Sequence, residues 1–159
     1  MNKTNKKSVV IKRKVLSELI KQINQGGVTY CPLLKKNYAR TEYISVSPFP
    51  ERSQVFTGKI TTRVLKSYCL KNSDLFKRGF SLGAWFDSVS LMTYLDISAP
   101  IPLSKSSEAI TLGKGANQIA GFNLFDLSEV QLGGTGEFNL SMITPFGERL
   151  NEALSLMFS

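Results

Sequence analysis

The side chains whose types and spacing could do chemistry are three aspartates, three aromatic rings and a set of lysines and arginines. Asp87, Asp96 and Asp126 fall near the ends of three strand-like segments. Carboxylates gathered on one sheet can hold two Mg²⁺ ions for phosphoryl transfer. Asp87 and Asp126 also read as turn formers behind their strands, which leaves Asp96 as the acid inside a strand. Tyr43, Tyr94 and Trp85 have the planar faces needed to stack unpaired bases, while Lys12, Arg13, Lys14, Lys35, Lys36 and Arg40 have the charge to contact phosphates. The chain contains no histidine. Ser-His-Asp and Cys-His mechanisms and histidine-bearing metal sites are therefore excluded. Gly113-Lys-Gly115 and Gly133-Gly-Thr-Gly136 lack the spacing of a Walker loop, and turn chemistry accounts for the second. The residues predict a non-enzymatic protein with no cofactor.

Charge is distributed unevenly. The net charge is +8, yet residues 1–40 hold ten Lys/Arg against Glu18 alone, a net of +9. Residues 41–159 hold ten Lys/Arg against eleven acids. Such polarity predicts an anionic partner, nucleic acid or an acidic protein surface, with a solubilising basic arm as the alternative. A hydrophobic content of 42% in 159 residues is enough for one cored domain. No apolar run is long enough to cross a bilayer, and the polar N-terminus leads into an amphipathic segment, so the expected location is cytoplasmic. Cys31 and Cys69 are expected as reduced core thiols.

The elements that must position these residues follow from periodicity. Residues 1–8 are polar and basic and are expected to be disordered. From Val9 to Gln25, Ile11, Val15, Leu16, Leu19, Ile20 and Ile23 recur at helical spacing, and Gly26-Gly27 ends the run. Residues 28–41 read as irregular. Tyr43–Ser47 alternates as a strand, and residues 48–58 read as a loop. Thr61 or Thr62 caps a helix to about Asn72. Strands follow at about Phe80–Asp87 and Leu91–Ser98. A second helix runs to about Gly115, and its inward face of Ala109, Leu112, Gly113 and Ala116 is small, which predicts close approach to the sheet. The fourth strand is expected over Ile119–Leu127. Thr144-Pro145 opens a terminal helix with Phe146, Leu150, Ala153, Leu154 and Met157 on one face.

Tyr43-Ile-Ser-Val-Ser-Pro-Phe-Pro50 and Tyr94-Leu-Asp-Ile-Ser-Ala-Pro-Ile-Pro102 are near-copies. Each is followed by a helix and then a strand ending in aromatic-aspartate. The doubled unit predicts an α+β fold: a ferredoxin-like βαββαβ core over residues 42–136, with a four-stranded antiparallel sheet. A basic arm and amphipathic helix precede it (1–41), and a short C-terminal helix follows (137–159). Strands one and three would be central, setting Tyr43 and Tyr94 side by side on an open face, with Trp85 beside them. The competing expectation is that one of the terminal helices lies across that face and buries both tyrosines.

Arg78-Gly-Phe80 resembles the start of the longer motif of RNA-recognition modules, although it enters strand two rather than strand three and Tyr43-Ile-Ser-Val-Ser47 lacks the shorter motif's Asn-Leu. Val46-Ser-Pro-Phe-Pro-Glu-Arg-Ser53, Thr93-Tyr-Leu-Asp-Ile-Ser98 and Asn117-Gln-Ile-Ala-Gly-Phe-Asn-Leu-Phe-Asp-Leu127 resemble small uncharacterised proteins of phages and other bacterial mobile elements. That resemblance implies an accessory role and carries no activity to any residue. The expected function is a module binding nucleic acid or a host nucleoprotein complex. A protein inhibitor of a host defence or replication complex (anti-CRISPR-like) is the first alternative. A metal-dependent phosphodiesterase using Asp96 and Asp87 is the second.

Overall fold

The structure, a computed structural model, describes residues 9–158; the expected disordered residues 1–8 lie outside the described residues. Helix α1 (Arg13–Asn24) begins four residues later than its periodicity suggests. Val9-Val-Ile11 are β-branched and resist helix formation, and Val9 and Ile11 pack on the core from an extended segment. α1 buries Leu16, Leu19 and Ile23 and exposes Lys12, Arg13, Lys14 and Lys21. The stretch expected to be irregular contains a hairpin, β1 (Gly27–Cys31) with β2 (Lys36–Asn37). Its signal was present in Val28-Thr-Tyr-Cys31, an alternating β-branched and aromatic run that Pro32 obscures.

β3 (Tyr43–Val46) and β4 (Gln54–Thr57) both pair with β6 (Met92–Pro102). They act as one interrupted strand. Val46 faces Ala99 and Gln54 faces Leu95, so eight steps on one side match four on the other and four residues are extra. The excursion buries Phe49 edge-on to Phe80 (5.1 Å). It also carries Glu51 to the buried Arg149 and Arg52 to Asp74. The expected 48–58 loop is therefore a large bulge followed by a strand.

α2 (Thr62–Lys71) is capped by Thr61, whose hydroxyl accepts from Val64 N at 3.3 Å. The one-turn α3 (Ser73–Phe76) leads to β5 (Ser81–Asp87). β6 runs past its expected end at Ser98, and both prolines of the Pro-x-Pro exit remain in the strand. β5 stops pairing at Ser81–Ser98. Leu103 N donates to Glu42 O on the β3 side, so the missing N–H groups of Pro100 and Pro102 fall on the side that β5 has left. α4 (Ser106–Gly115) presses Gly113 against Leu132 and Val46, the close approach its small residues predict. The expected fourth strand is instead a hairpin, β7 (Ala120–Asn123) and β8 (Ser128–Gln131). α5 (Phe146–Phe158) closes the described chain.

The fold is mixed α+β, with five α-helices among the described residues and one antiparallel sheet of eight strands rather than four. Its order is β2-β1-β5-β6-β3-β7-β8, with β4 also on β6. Residues 27–37, expected within the arm, supply two of those strands. One core joins the inward side chains Ile44, Val46, Leu82, Ala84, Leu95, Ile97 and Ile101 to the helices. α1 stands over β1 and β5, α5 over β6, and α4 over β3.

Candidate functional site

Side chains alternate along a strand, so the register sorts them by face. With Ile44, Val46, Leu95 and Ile97 inward, the opposite face receives Tyr43, Ser45, Trp85, Tyr94, Asp96 and Ser98. Neither terminal helix covers it, because α1 and α5 both pack into the core on the other side. Residues of the 32–43 segment cover one end instead. There Cys31, Tyr38 and Leu124 are buried with Leu33, Tyr43 and Phe122 around them.

Tyr43 and Tyr94 share this face but are not neighbours. Tyr43 lies opposite Pro102 and Tyr94 opposite Trp85, eight residues away along β6. That is about 26 Å at strand rise. The two near-copies pair antiparallel, so equivalent side chains meet at the middle and diverge toward the ends. The middle shows this symmetry. Position three of one copy reaches position five of the other, as Ser45 Oγ to Ser98 Oγ and as Asp96 to the Ser47 side chain.

The Tyr43 end is aromatic and basic. Tyr38 and Tyr43 meet edge to face at 5.0 Å, and Lys36 Nζ lies 4.6 and 5.0 Å from their ring centroids. Lys35 and Arg40 flank them, both exposed, at left-handed turn residues with φ of 53° and 62°. Arg40 N donates to Leu124 O at 2.8 Å, tying this segment to the β7–β8 hairpin. Burial, aided by Cys31 and Tyr43, pushes the Tyr38 hydroxyl up to about 12. The site residues Lys35, Lys36, Arg40 and Tyr43 are thus gathered at one end. Lys12, Arg13 and Lys14 project from α1, which packs on the sheet's other face. Tyr38 was missed because its segment reads as irregular; a Tyr five residues before Tyr43 was the available signal.

The Trp85 end is aromatic and acidic. Trp85 and Tyr94 stack with centroids 4.5 Å apart and planes at 12°, and Trp85 remains 44% exposed. Val55 of β4 lies opposite Tyr94 and is 52% exposed. Two cross-strand pairs further along, and so on the same face, Asp96 lies opposite Gly83, and a methyl at residue 83 would collide with its carboxylate. Asp96 retains partial access to solvent, but loss of hydration pushes its carboxyl up to about 6, opposed by the Ser47 hydrogen bond. Burial and the Asp96 charge together raise Tyr68 on α2.

The three aspartates do not converge. Asp87 accepts from Val89 N (2.9 Å) and Ser90 Oγ (3.0 Å) in its own hairpin, and hydrogen bonds of this kind hold its carboxyl below the usual range. Asp126 sits inside the 124–127 turn and accepts from Ser128 N and Oγ. Structurally, Asn123 rather than Asp126 takes the place of Asp87, accepting from Phe125 N two residues on. No group of three or more Cys, Asp or Glu side chains arranged to hold a metal is found among the described residues. The Gly133–Gly136 amides are occupied: Gly134 N donates to Gln118 O, Thr135 N to Asn117 Oδ1 and Gly136 N to Asn117 O. Cys31 and Cys69 are free and buried. Among the described residues no helix is long and apolar enough to cross a membrane. No protein family, no curated protein and no solved structure matches this chain.

Proposed function

We propose that this protein is a non-enzymatic module that binds nucleic acid or a nucleoprotein complex through the basic N-terminal quarter. The observation that carries the reading is the Tyr43 end of this sheet face. There a lysine ammonium lies over two tyrosine rings with Lys35 and Arg40 beside it. Cations supply phosphate contacts and salt-dependent affinity, while a partly exposed ring offers a stacking plane. Lys12, Arg13 and Lys14 add a second basic surface on α1 for longer-range attraction. The reading treats β5-β6-β3-β7 with α2 and α4 as a ferredoxin-like core to which the other strands are additions. It also takes the chain as a phage or mobile-element accessory protein working in the host cytoplasm.

Filter binding of single- and double-stranded oligonucleotides across a salt series tests the proposal. Replacing Lys35, Lys36 and Arg40 by alanine should weaken binding and reduce the salt slope by roughly one for each phosphate that is no longer neutralised. No binding at low salt would sink it. That result would favour a second reading, a protein inhibitor of a host defence or replication complex acting by protein–protein contact. Its support is the exposed set Glu108, Glu129, Glu137, Glu148 and Glu152 in a half of the chain where acids outnumber bases, a charge pattern that imitates nucleic acid.

A further inference from the structure

The geometry points to a second surface of opposite preference: the Trp85–Tyr94 stack takes an arginine-bearing segment of a partner protein, its guanidinium lying on the exposed Trp85 ring beside Asp96. This goes beyond the nucleic-acid reading, because the surface lies about 26 Å along β6 from the basic end and carries the other charge. None of the side chains that β1, β4, β5 and β6 direct to this end of the face is Lys or Arg, whereas Asp87 and Asp96 are among them. Among these strand side chains a phosphate chain would meet two carboxylates and no cation. A guanidinium meets an aromatic face and a carboxylate, the pairing that planar cations favour.

Access fits the same ligand. Gly27 lies opposite Trp85 and Gly83 opposite Asp96, so bare backbone flanks the ring and the carboxylate. Trp85 leans on Tyr94 on one side, which fixes the indole plane before any ligand arrives and lowers the ordering cost of binding. An ionised carboxyl held in poorly hydrating surroundings is costly to the fold, and costs of this kind concentrate at binding surfaces.

The chain contains a single tryptophan, so its emission reports directly on this surface. The probe is a capped dodecapeptide of alternating Gly and Arg, with an alternating Gly-Glu peptide as control, read by Trp85 emission and by titration calorimetry on the full chain. Saturable quenching by the Gly-Arg peptide and none by the Gly-Glu peptide is expected. Asp96→Asn should weaken binding by about two- to fivefold, the size of one partly exposed charge contact. Trp85→Ala should abolish the calorimetric signal. Circular dichroism checks the fold of both variants, and Asp96→Asn, which keeps a partner for Ser47, carries the test if Trp85→Ala unfolds. Unchanged affinity in the folded variants would overturn the proposal. So would quenching by an oligothymidylate at lower concentration than by the peptide, which would assign the ring to bases. A change in emission on diluting the protein alone would also overturn it by assigning the surface to a second copy of the chain.

Discussion

The two copies of the repeated segment share their letters but not their fates. After Ser47 the first copy leaves the sheet for four extra residues, buries Phe49 and returns as β4. After Ser98 the second copy stays in β6 through Pro100 and Pro102. Proline permits both outcomes. It cannot donate to a ladder, so its position in a strand depends on whether a neighbour waits on that edge. In the second copy β5 has already ended. In the first, the excursion has strong partners elsewhere, chiefly Arg149 of α5. A motif of this kind marks a possible strand end, and the neighbouring elements choose whether it is used.

The sharpest way to break this difference is Arg149→Ala. The guanidinium donates to both Glu51 oxygens (2.6 and 2.8 Å), to Pro48 O (2.6 Å) and to Thr144 O (2.8 Å), and it is 2% exposed. Removing it leaves a partly buried carboxylate and a buried carbonyl without their partner. The expected loss is about 3–5 kcal/mol, measured by urea unfolding. A loss below about 1 kcal/mol would mean that the excursion is held by Phe49 packing instead.

A smaller effect of opposite sign tests the symmetric middle, where Ser45 in one copy corresponds to Asp96 in the other. A carboxyl whose folded pKa lies above its unfolded one binds its proton more tightly when folded. Its contribution is therefore most favourable below about pH 4, declines as pH rises to about 6 and is flat above. Asp74, Asp87 and Asp126, whose carboxyls are held low, act in the lower window and with the opposite sign. Asp96→Asn is expected to raise stability at pH 7 by roughly 1–2 kcal/mol, allowing for partial solvent screening. It should also remove the decline between pH 4 and 6 in thermal unfolding across pH. An unchanged slope would show that Asp96 is hydrated in solution.

The smallest expected effect compares the hairpins. The β5–β6 and β7–β8 loops are both four residues long and end in a leucine with positive φ, Leu91 at 57° and Leu127 at 61°. Left-handed backbone costs a non-glycine residue about 1 kcal/mol, and both leucines are exposed. Leu91→Gly and Leu127→Gly should each gain up to about 1 kcal/mol, offset by glycine's greater entropy loss. A gain at one and a loss at the other, read from paired melting curves, would show that the losing leucine makes a contact that matters.

Much of the fold was legible because it rests on local chemistry. The amphipathic stripe of α1, the Thr61 cap of α2, the small face of α4, the Thr144-Pro145 start of α5 and the alternation of Tyr43–Val46 are all set by residues within a few positions of one another. The elements that escaped were those stabilised from a distance. β1 and β4 are short, and each depends on a longer strand, β5 or β6, for its hydrogen bonds. The Asn123 turn split a strand whose apolar content reads as continuous. Candidate site residues were legible as types but not as groups. Lys36 and Tyr43 meet because residues 32–43 fold back over the sheet, which no spacing along the chain reveals.

The sequence by itself determined the α+β class, the duplicated segment, the basic N-terminal quarter and which face of each strand a side chain occupies, because period and composition are properties of the chain alone. Only the tertiary structure decided where along that face each ring falls. Antiparallel pairing sends equivalent residues of two copies to opposite ends, and the register is set by the core packing of all the strands together. Two tyrosines at equivalent positions thus became two separate surfaces, one basic and one acidic.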